Sequence, residues 1–579
     1  MSDRNPTAER LQGRFSDQMA EVCCFRGDEA VTTKRDGLLD ILTFLRDDPD
    51  LSYDYLVDVT AVDWLRKDRR DRFDVVYHLY SHRHNRRVRL KAPVNERDPS
   101  LPSATRIWRG AEWPEREVYD MFGIRFGEHP DLRRILMPVD FEGHPLRKDY
   151  PLEGRGERDR IGRTDPGFLD LETWEKRRNE GFREGADRLA PETMTLNLGP
   201  QHPAMHGTLR AVLELDGERI VKATPDMGYL HTGFEKLGEH RTYNQFVTIT
   251  DRMNYLSPLA NNIGYALAVE KLMELEVPKR AQYIRVILAE LSRISDHMFW
   301  LGAHALDLGA FTVLLYALEQ REKLYDIFES VTGVRLMGSC TRVGGLAEDV
   351  PEGFEEQVLA FIRQFPPAMD EMETLLTRNR IWIERTKGIG VISGEDAIAY
   401  SMTGPCLRGS GVEWDIRKAE PYSSYEDFDF EIPVGENGDV YDRYLVRVEE
   451  TRQSCRIAEQ AVKNLPDGPV RVDDPKVILP PKDAVYNTIE GLIHHFKLIM
   501  DGHGLRPSEG EAYASTEVPN GELGFYLVSD GTDHPYRVRV RPPSLMNYQA
   551  FPYLVEGRMV ADLIAIIGSL NIIAGELDR

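Results

Sequence analysis

Two histidines four residues apart stand out as candidates for chemistry, in the run Gly199-Pro200-Gln201-His202-Pro203-Ala204-Met205-His206-Gly207. Imidazoles ligate metals, donate hydrogen bonds and exchange protons near neutral pH. Each proline locks its own φ and pushes the preceding residue towards extended geometry, so Gly199 and His202 are biased away from helix. The result is a rigid loop presenting imidazoles, suited to holding a polar ligand. On a helix this spacing would place both rings on one metal, but Pro203 and the flanking glycines argue against a long helix. No third ligand is fixed nearby, although His231 and His240 are possible partners. Asp307 interrupts an otherwise apolar stretch. A buried carboxylate is costly unless paired, so Asp307 is exposed, hydrogen-bonded structurally, or held for proton chemistry. Tyr255, in Asp251-Arg252-Met253-Asn254-Tyr255, reads on its own as a packing residue.

The elements that must position these residues are legible from periodicity. Tyr53 to Asp63, Phe73 to Ser81 and Arg86 to Val94 are rich in β-branched and aromatic residues and predict a mainly antiparallel sheet. Trp113 to Gly123 predicts a helix begun near Pro114 and stopped at Gly123. Leu209 to Val221 predicts a hairpin turning at Asp216-Gly217. Ile284, Ile287, Leu288, Leu291, Ile294, Met298 and Leu301 recur at helical spacing, as in one member of a bundle. Leu308 to Leu318 reads as a buried core helix. Further helices are expected over Gly353 to Arg378, Asp442 to Leu465, Asp483 to Met500 and Val555 to Ile573, with strands around Phe525 to Val528 and Arg537 to Val540.

With 579 residues the chain exceeds one ordinary core. The segment from 153 to about 190 is strongly charged and glycine-rich, which predicts a linker between a smaller N-terminal domain, 1–152, and a larger one, 191–579. A net charge of −23 argues against nucleic-acid partners. The five cysteines, at 23, 24, 340, 406 and 455, form no CxxC pair, so no iron–sulfur or zinc site is apparent. No Walker A sequence occurs, and Gly388-Ile389-Gly390 with Gly394 has one residue too many for a dinucleotide fingerprint, so neither ATP nor NAD is expected to bind this chain. No stretch reaches the ~20 apolar residues of a membrane span, and no secretory signal opens the sequence, so membrane association is expected to come through partners.

Several segments carry a family resemblance. Glu115-Arg116-Glu117-Val118-Tyr119-Asp120-Met121-Phe122-Gly123, with His129-Pro130-Asp131-Leu132-Arg133-Arg134-Ile135-Leu136, resembles the C subunit of proton-pumping NADH:quinone oxidoreductase, respiratory complex I. Gly199 to Pro203, Tyr229-Leu230-His231-Thr232-Gly233-Phe234-Glu235-Lys236, Asp251 to Tyr255 and the final Asp578-Arg579 resemble its D subunit. Their order matches the fused C/D subunit of some bacteria. The resemblance implies an α+β fold: a small mainly antiparallel N-terminal domain, then a helix-bundle-centred domain with flanking sheets, similar to the nickel–iron hydrogenase large subunit. Hydrogenases bind their metal through two CxxC pairs, which are missing here, so the implied fold comes without the metal.

The same resemblance implies an enzyme active only within a multisubunit complex on the cytoplasmic side of the bacterial inner membrane. This chain would hold no cofactor of its own, with quinone as substrate and iron–sulfur clusters and FMN in partner subunits. The implied partners are the iron–sulfur B subunit, the I subunit and the quinone-channel membrane subunit. His206 and Tyr255 would donate hydrogen bonds to the two quinone oxygens, and Asp307 would pair with His206 and tune it. His202 would shape the loop, and Arg252 would lie near the terminal cluster. Where many relatives carry a histidine near that cluster, this chain has Gly338, in Met337-Gly338-Ser339-Cys340. A hydrogenase-like metalloenzyme and a purely structural assembly protein are the alternatives, and ubiquinone is not distinguished from menaquinone.

Overall fold

The computed structural model describes residues 6–65, 67, 69–156 and 193–579. The expected linker therefore lies, from residue 157 onwards, outside the described residues. Near the N-terminus five strands form one sheet, in the spatial order Met19–Phe25, Asp28–Thr33, Arg86–Val94, Phe73–Ser81, Tyr55–Asp63. Every pairing is antiparallel except that of Asp28–Thr33 with Arg86–Val94. All nine residues of both Tyr55–Asp63 and Phe73–Ser81 are buried, so this part of the sheet is covered on both faces. The helix Glu112–Phe122 packs on the Tyr55 strand and ends at Gly123, whose left-handed φ of 75° lets its N–H reach back to the Tyr119 carbonyl.

The hairpin expected near Asp216-Gly217 forms from Arg210–Asp216 and Arg219–Asp226, with Met194–Leu198 on its far side. A second meander joins Gly510–Val518, Gly521–Ser529 and Arg537–Arg541. Alternation along a strand puts Arg537, Arg539 and Arg541 on one face. That face turns inward: Arg539 meets Asp58 at 2.6 Å, while Arg537 and Arg541 donate to the Ala61 and Val57 carbonyls.

The helical part is centred on the 29-residue helix Lys279–Asp307, packed by Phe311–Thr332 and Val440–Lys463, with Phe354–Leu376 on the outer side of those two. Its seven periodic apolar residues are all at most 1% exposed. Its polar face is buried as well, because Arg285 pairs with Glu270, Glu290 with Arg417, and His297 with Glu450. Segregated sheets and helices make this an α+β fold. One apolar core includes Leu56, Val76 and Trp113 together with Met205, Leu209 and Ile566, so both sides of the 157–192 segment share it.

Two sequence expectations need correction. Leu308 to Leu318 is not a buried core helix: the chain breaks at Leu308–Ala310, the next helix starts at Phe311, and Phe311 and Leu315 are 56% and 53% exposed. Only the stripe carrying Val313 and Ala317 faces the core. The helix expected over Asp483 to Met500 divides at Thr488, whose hydroxyl accepts from the Gly491 N–H and caps a separate helix, Ile489–Ile499. Among the described residues no helix is long and apolar enough to cross a membrane.

Candidate functional site

The two-histidine loop folds as a single 3₁₀ turn, Pro203–Met205, between an extended His202 and a left-handed His206 (φ 54°). His202 Nδ1 accepts from the Ala204 N–H at 3.3 Å, and a bridge between His202 and Gly207 closes the loop. Ala204 and Met205 are buried and anchor the turn against the helix Val560–Leu570. His206 is left at the rim with its side chain 14% exposed.

His206 Nε2 lies 2.5 Å from Asp307 Oδ2. Asp307 is the last residue of the long helix, where the carbonyl end of the helix dipole disfavours an anion. An imidazole able to carry positive charge answers both the carboxylate and the helix end. Three residues earlier, His304 is buried between Trp300 and Trp382 and against Gly568; burial pushes its pKa down to about 3, so it packs as a neutral ring.

Tyr255 lies in the turn after the helix Tyr243–Thr250. Asn254 pins that turn: its amide donates to Asp296 at 3.1 Å, its side-chain oxygen accepts from the Leu256 N–H, and its carbonyl accepts from Asn261. Tyr255 itself is half-buried, and its hydroxyl makes no hydrogen bond to another described residue. Burial raises this phenol above its ordinary value; the charge of Asp296 adds to the effect and Arg321 opposes it.

One short segment joins the loop and the turn. A Cβ on Gly207 would sit 3.0 Å from the Ala574 Cβ, and one on Gly575 would sit 2.7 Å from the Met253 carbonyl oxygen and 2.9 Å from that of Arg252. The His206 loop and the Tyr255 turn therefore flank two consecutive residues. The chain end holds the Tyr229–Lys236 motif too. Asp578 accepts from the Gly228 and Leu230 N–H groups at 2.9 and 2.8 Å, and its carbonyl accepts from His231 at 2.7 Å. Leu306, Phe311 and Leu315 leave an exposed apolar rim beside Asp307.

The remaining expected residues are placed differently. His231 is committed to Asp578, and His240 lines a separate cleft of about 300 Å³ with Lys148, Asp533 and His534. Among the described residues no three His, Cys, Asp or Glu side chains are arranged to hold a metal. The Arg252 side chain is 65% exposed, 3.9 Å from Asp251. Gly338 is buried against Thr332, and the buried Cys340 thiol is pushed up to about 11 by its burial, which suits packing rather than reactivity. Asp296, Arg321 and Glu576, which all act on Tyr255, carry no sequence motif that singles them out.

Comparison with known proteins places this arrangement in context. The family described as respiratory-chain NADH dehydrogenase, 49 Kd subunit, matches residues 307–579, and the corresponding 30 Kd subunit family matches residues 31–156. The C/D subunit of NADH-quinone oxidoreductase from Bdellovibrio bacteriovorus is 48% identical over 98% of both chains. A C/D subunit of that enzyme from Aquifex aeolicus is 42% identical over 99% of both. The separate D subunit from Geotalea uraniireducens is 56% identical over 67% of this chain and 99% of its own length.

Proposed function

The chain belongs to the family of C/D subunits of NADH-quinone oxidoreductase, and from that premise we propose that it binds the quinone headgroup between His206 and Tyr255. The observation that carries this reading is the pairing of two kinds of donor across Ala574-Gly575: an imidazole braced by a carboxylate at 2.5 Å, and a phenol with no partner among the described residues. Reduction places two electrons on a quinone and makes both of its oxygens strongly basic. Donors already in position stabilise that charge and pass protons to it. Asp307 keeps the His206 ring oriented through the hydrogen bond at Nε2. The apolar rim of Leu306, Phe311 and Leu315 suits an isoprenoid tail or a neighbouring protein of the complex.

In this reading residues 1–152 are a scaffold domain, a linker covers 153–190, and 191–579 is a hydrogenase-large-subunit-like domain without metal. Electrons come from an iron–sulfur cluster of the B subunit, fed through FMN and the clusters of other subunits, including the I subunit. Arg252 faces the side of that cluster, and quinone enters through a passage shared with a membrane-embedded partner. The complex places this chain peripherally, on the cytoplasmic face of the inner membrane. The test is His206→Ala in the assembled complex. NADH should still reduce the terminal cluster while quinone turnover falls about 100-fold or more. Turnover within twofold of wild type refutes the assignment.

A further inference from the structure

The helix Ile489–Ile499 carries its apolar residues on the outside. Ile489, Leu492, Ile493, Phe496 and Ile499, with Met500 just past the helix end, are each 44–64% exposed. At 100° per residue they fall within an arc of about 120°, the width of a stripe that ordinarily faces a core. The opposite side is the attached one. A Cβ on Gly491 would sit 2.4 Å from the Ala484 carbonyl oxygen in the preceding helix, Lys482–Asn487, and Leu498 packs against the core that holds Val477 and Leu505. His494 and His495, which a free amphipathic helix would turn to water, are half-buried. The body of the protein therefore holds this helix by its small and polar side and presents its apolar side outward. Exposing that side to water is unfavourable, so it calls for a cover.

Area and charge narrow down what the cover is. With ~200 Å² for each free side chain, the six exposures leave a strip of about 600 Å², at the top of the range for the largest apolar patch on a monomer. A stable two-body interface takes ~800 Å² from each partner, so the strip is too small to hold a second copy of this chain by itself. A lipid surface is disfavoured by charge. Helices that lie on anionic membranes carry rows of Lys and Arg, whereas Glu490 and Lys497 border this strip on one side and cancel, and the chain as a whole has a net charge of −23. The 153–190 segment is strongly charged and sparse in large apolar residues, a poor match for the strip. What fits is a protein that other contacts already hold against this chain. The relatives it matches are subunits, designated C/D and D, of one enzyme.

We propose that the outward strip of Ile489–Ile499 is a docking surface for an apolar, uncharged face of another protein subunit of the NADH-quinone oxidoreductase complex. Phe496 and Leu492, near the middle of the strip, are its anchors, and Glu490 and Lys497 form part of its polar rim.

Two readouts test this. In the first, Leu492→Glu combined with Phe496→Glu is placed in the full chain. Both positions are exposed, so the unfolding temperature of the full chain alone should stay within about 2 °C of wild type. The yield of intact complex on native gels should fall about tenfold or more, because two charges must now enter an apolar contact. Phe496→Leu, apolar and similar in bulk, should assemble normally. Wild-type yield in the double variant overturns the proposal. In the second, Lys497→p-benzoylphenylalanine places a photo-cross-linker at the border of the strip in the purified, assembled complex. Irradiation should join residue 497 to a peptide of a different subunit. A link to lipid, to residues 153–190 or to a second copy of this chain, or no link at all, overturns the proposal. Should the double variant lower the full chain's own unfolding temperature, its lost yield is a folding defect and the cross-link decides.

Discussion

Around Arg539 the protein matches its own charges. That guanidinium meets Asp58 at 2.6 Å, contacts Glu117, and lies 3.2 Å from Glu235, while Arg537 and Arg579 complete the ring at 2.7 and 3.4 Å from Glu235. Burial alone would raise the Glu235 carboxyl, but the three arginines outweigh it and hold it down at about 2. Around His206 the matching is incomplete: one acid, a rim with both side chains 12–14% exposed, and a phenol nearby with no partner among the described residues. Saturated charges at the seam between N- and C-terminal parts hold structure together. Unsaturated donors beside an apolar rim are free to meet a ligand.

That contrast is broken most severely at the seam. Arg539→Met strands Asp58, Glu117 and Glu235 without their shared cation, and removing one partner of a buried pair costs ~3–5 kcal/mol. The chain should fail to accumulate in the assembled complex, seen as loss of the intact band on native gels; normal assembly would show that Arg537 and Arg579 suffice. Asp307→Asn should do the opposite. Assembly persists, thermal unfolding stays close to wild type, and turnover falls about 10- to 100-fold because His206 loses its charge partner but keeps a hydrogen bond.

A smaller effect concerns stability. Burial pushes Glu115 from its ordinary 4.5 up to about 8, against hydrogen bonds from Ser103 and the Ala104 N–H. The native state thus holds a proton that the unfolded chain releases above 4.5, and the stability this confers is lost as pH rises towards 8. Compared with Glu115→Gln, the wild-type unfolding temperature should decline progressively across that range; a constant difference would mean that Glu115 is ionised when folded. Smallest of all is the consequence of Gly338, which cannot titrate. The midpoint potential of the terminal cluster should change by well under ~59 mV per pH unit, the slope of one proton per electron. A full slope in a redox titration of the complex would point to another titrating group.

The sequence made much of this fold legible where one physical signal dominates. Alternation and β-branching located Phe73–Ser81 and Arg86–Val94 to the residue, and helical spacing located the apolar stripe of the long helix. It misled where tertiary context reverses a local pattern. Arg537, Arg539 and Arg541 are buried among Asp58, Glu117 and Glu235, acids hundreds of residues away in sequence that no local pattern announces. Phe311 and Leu315 looked internal and are exposed. For the site, His206, Asp307 and Tyr255 were nameable through a family resemblance, but their spacing carries no sign of Ala574-Gly575 as the wedge between them. Asp296 and Glu576 were hidden for a related reason: a buried acid is recognisable only once its neighbours are known.

Tyr255→Phe removes a single hydroxyl, so it tests the central claim most directly. In the assembled complex, NADH should reduce the terminal cluster at the wild-type rate while steady-state quinone turnover falls about 100-fold. Wild-type turnover with normal cluster reduction would contradict the account, because the phenol would then have no part in quinone reduction.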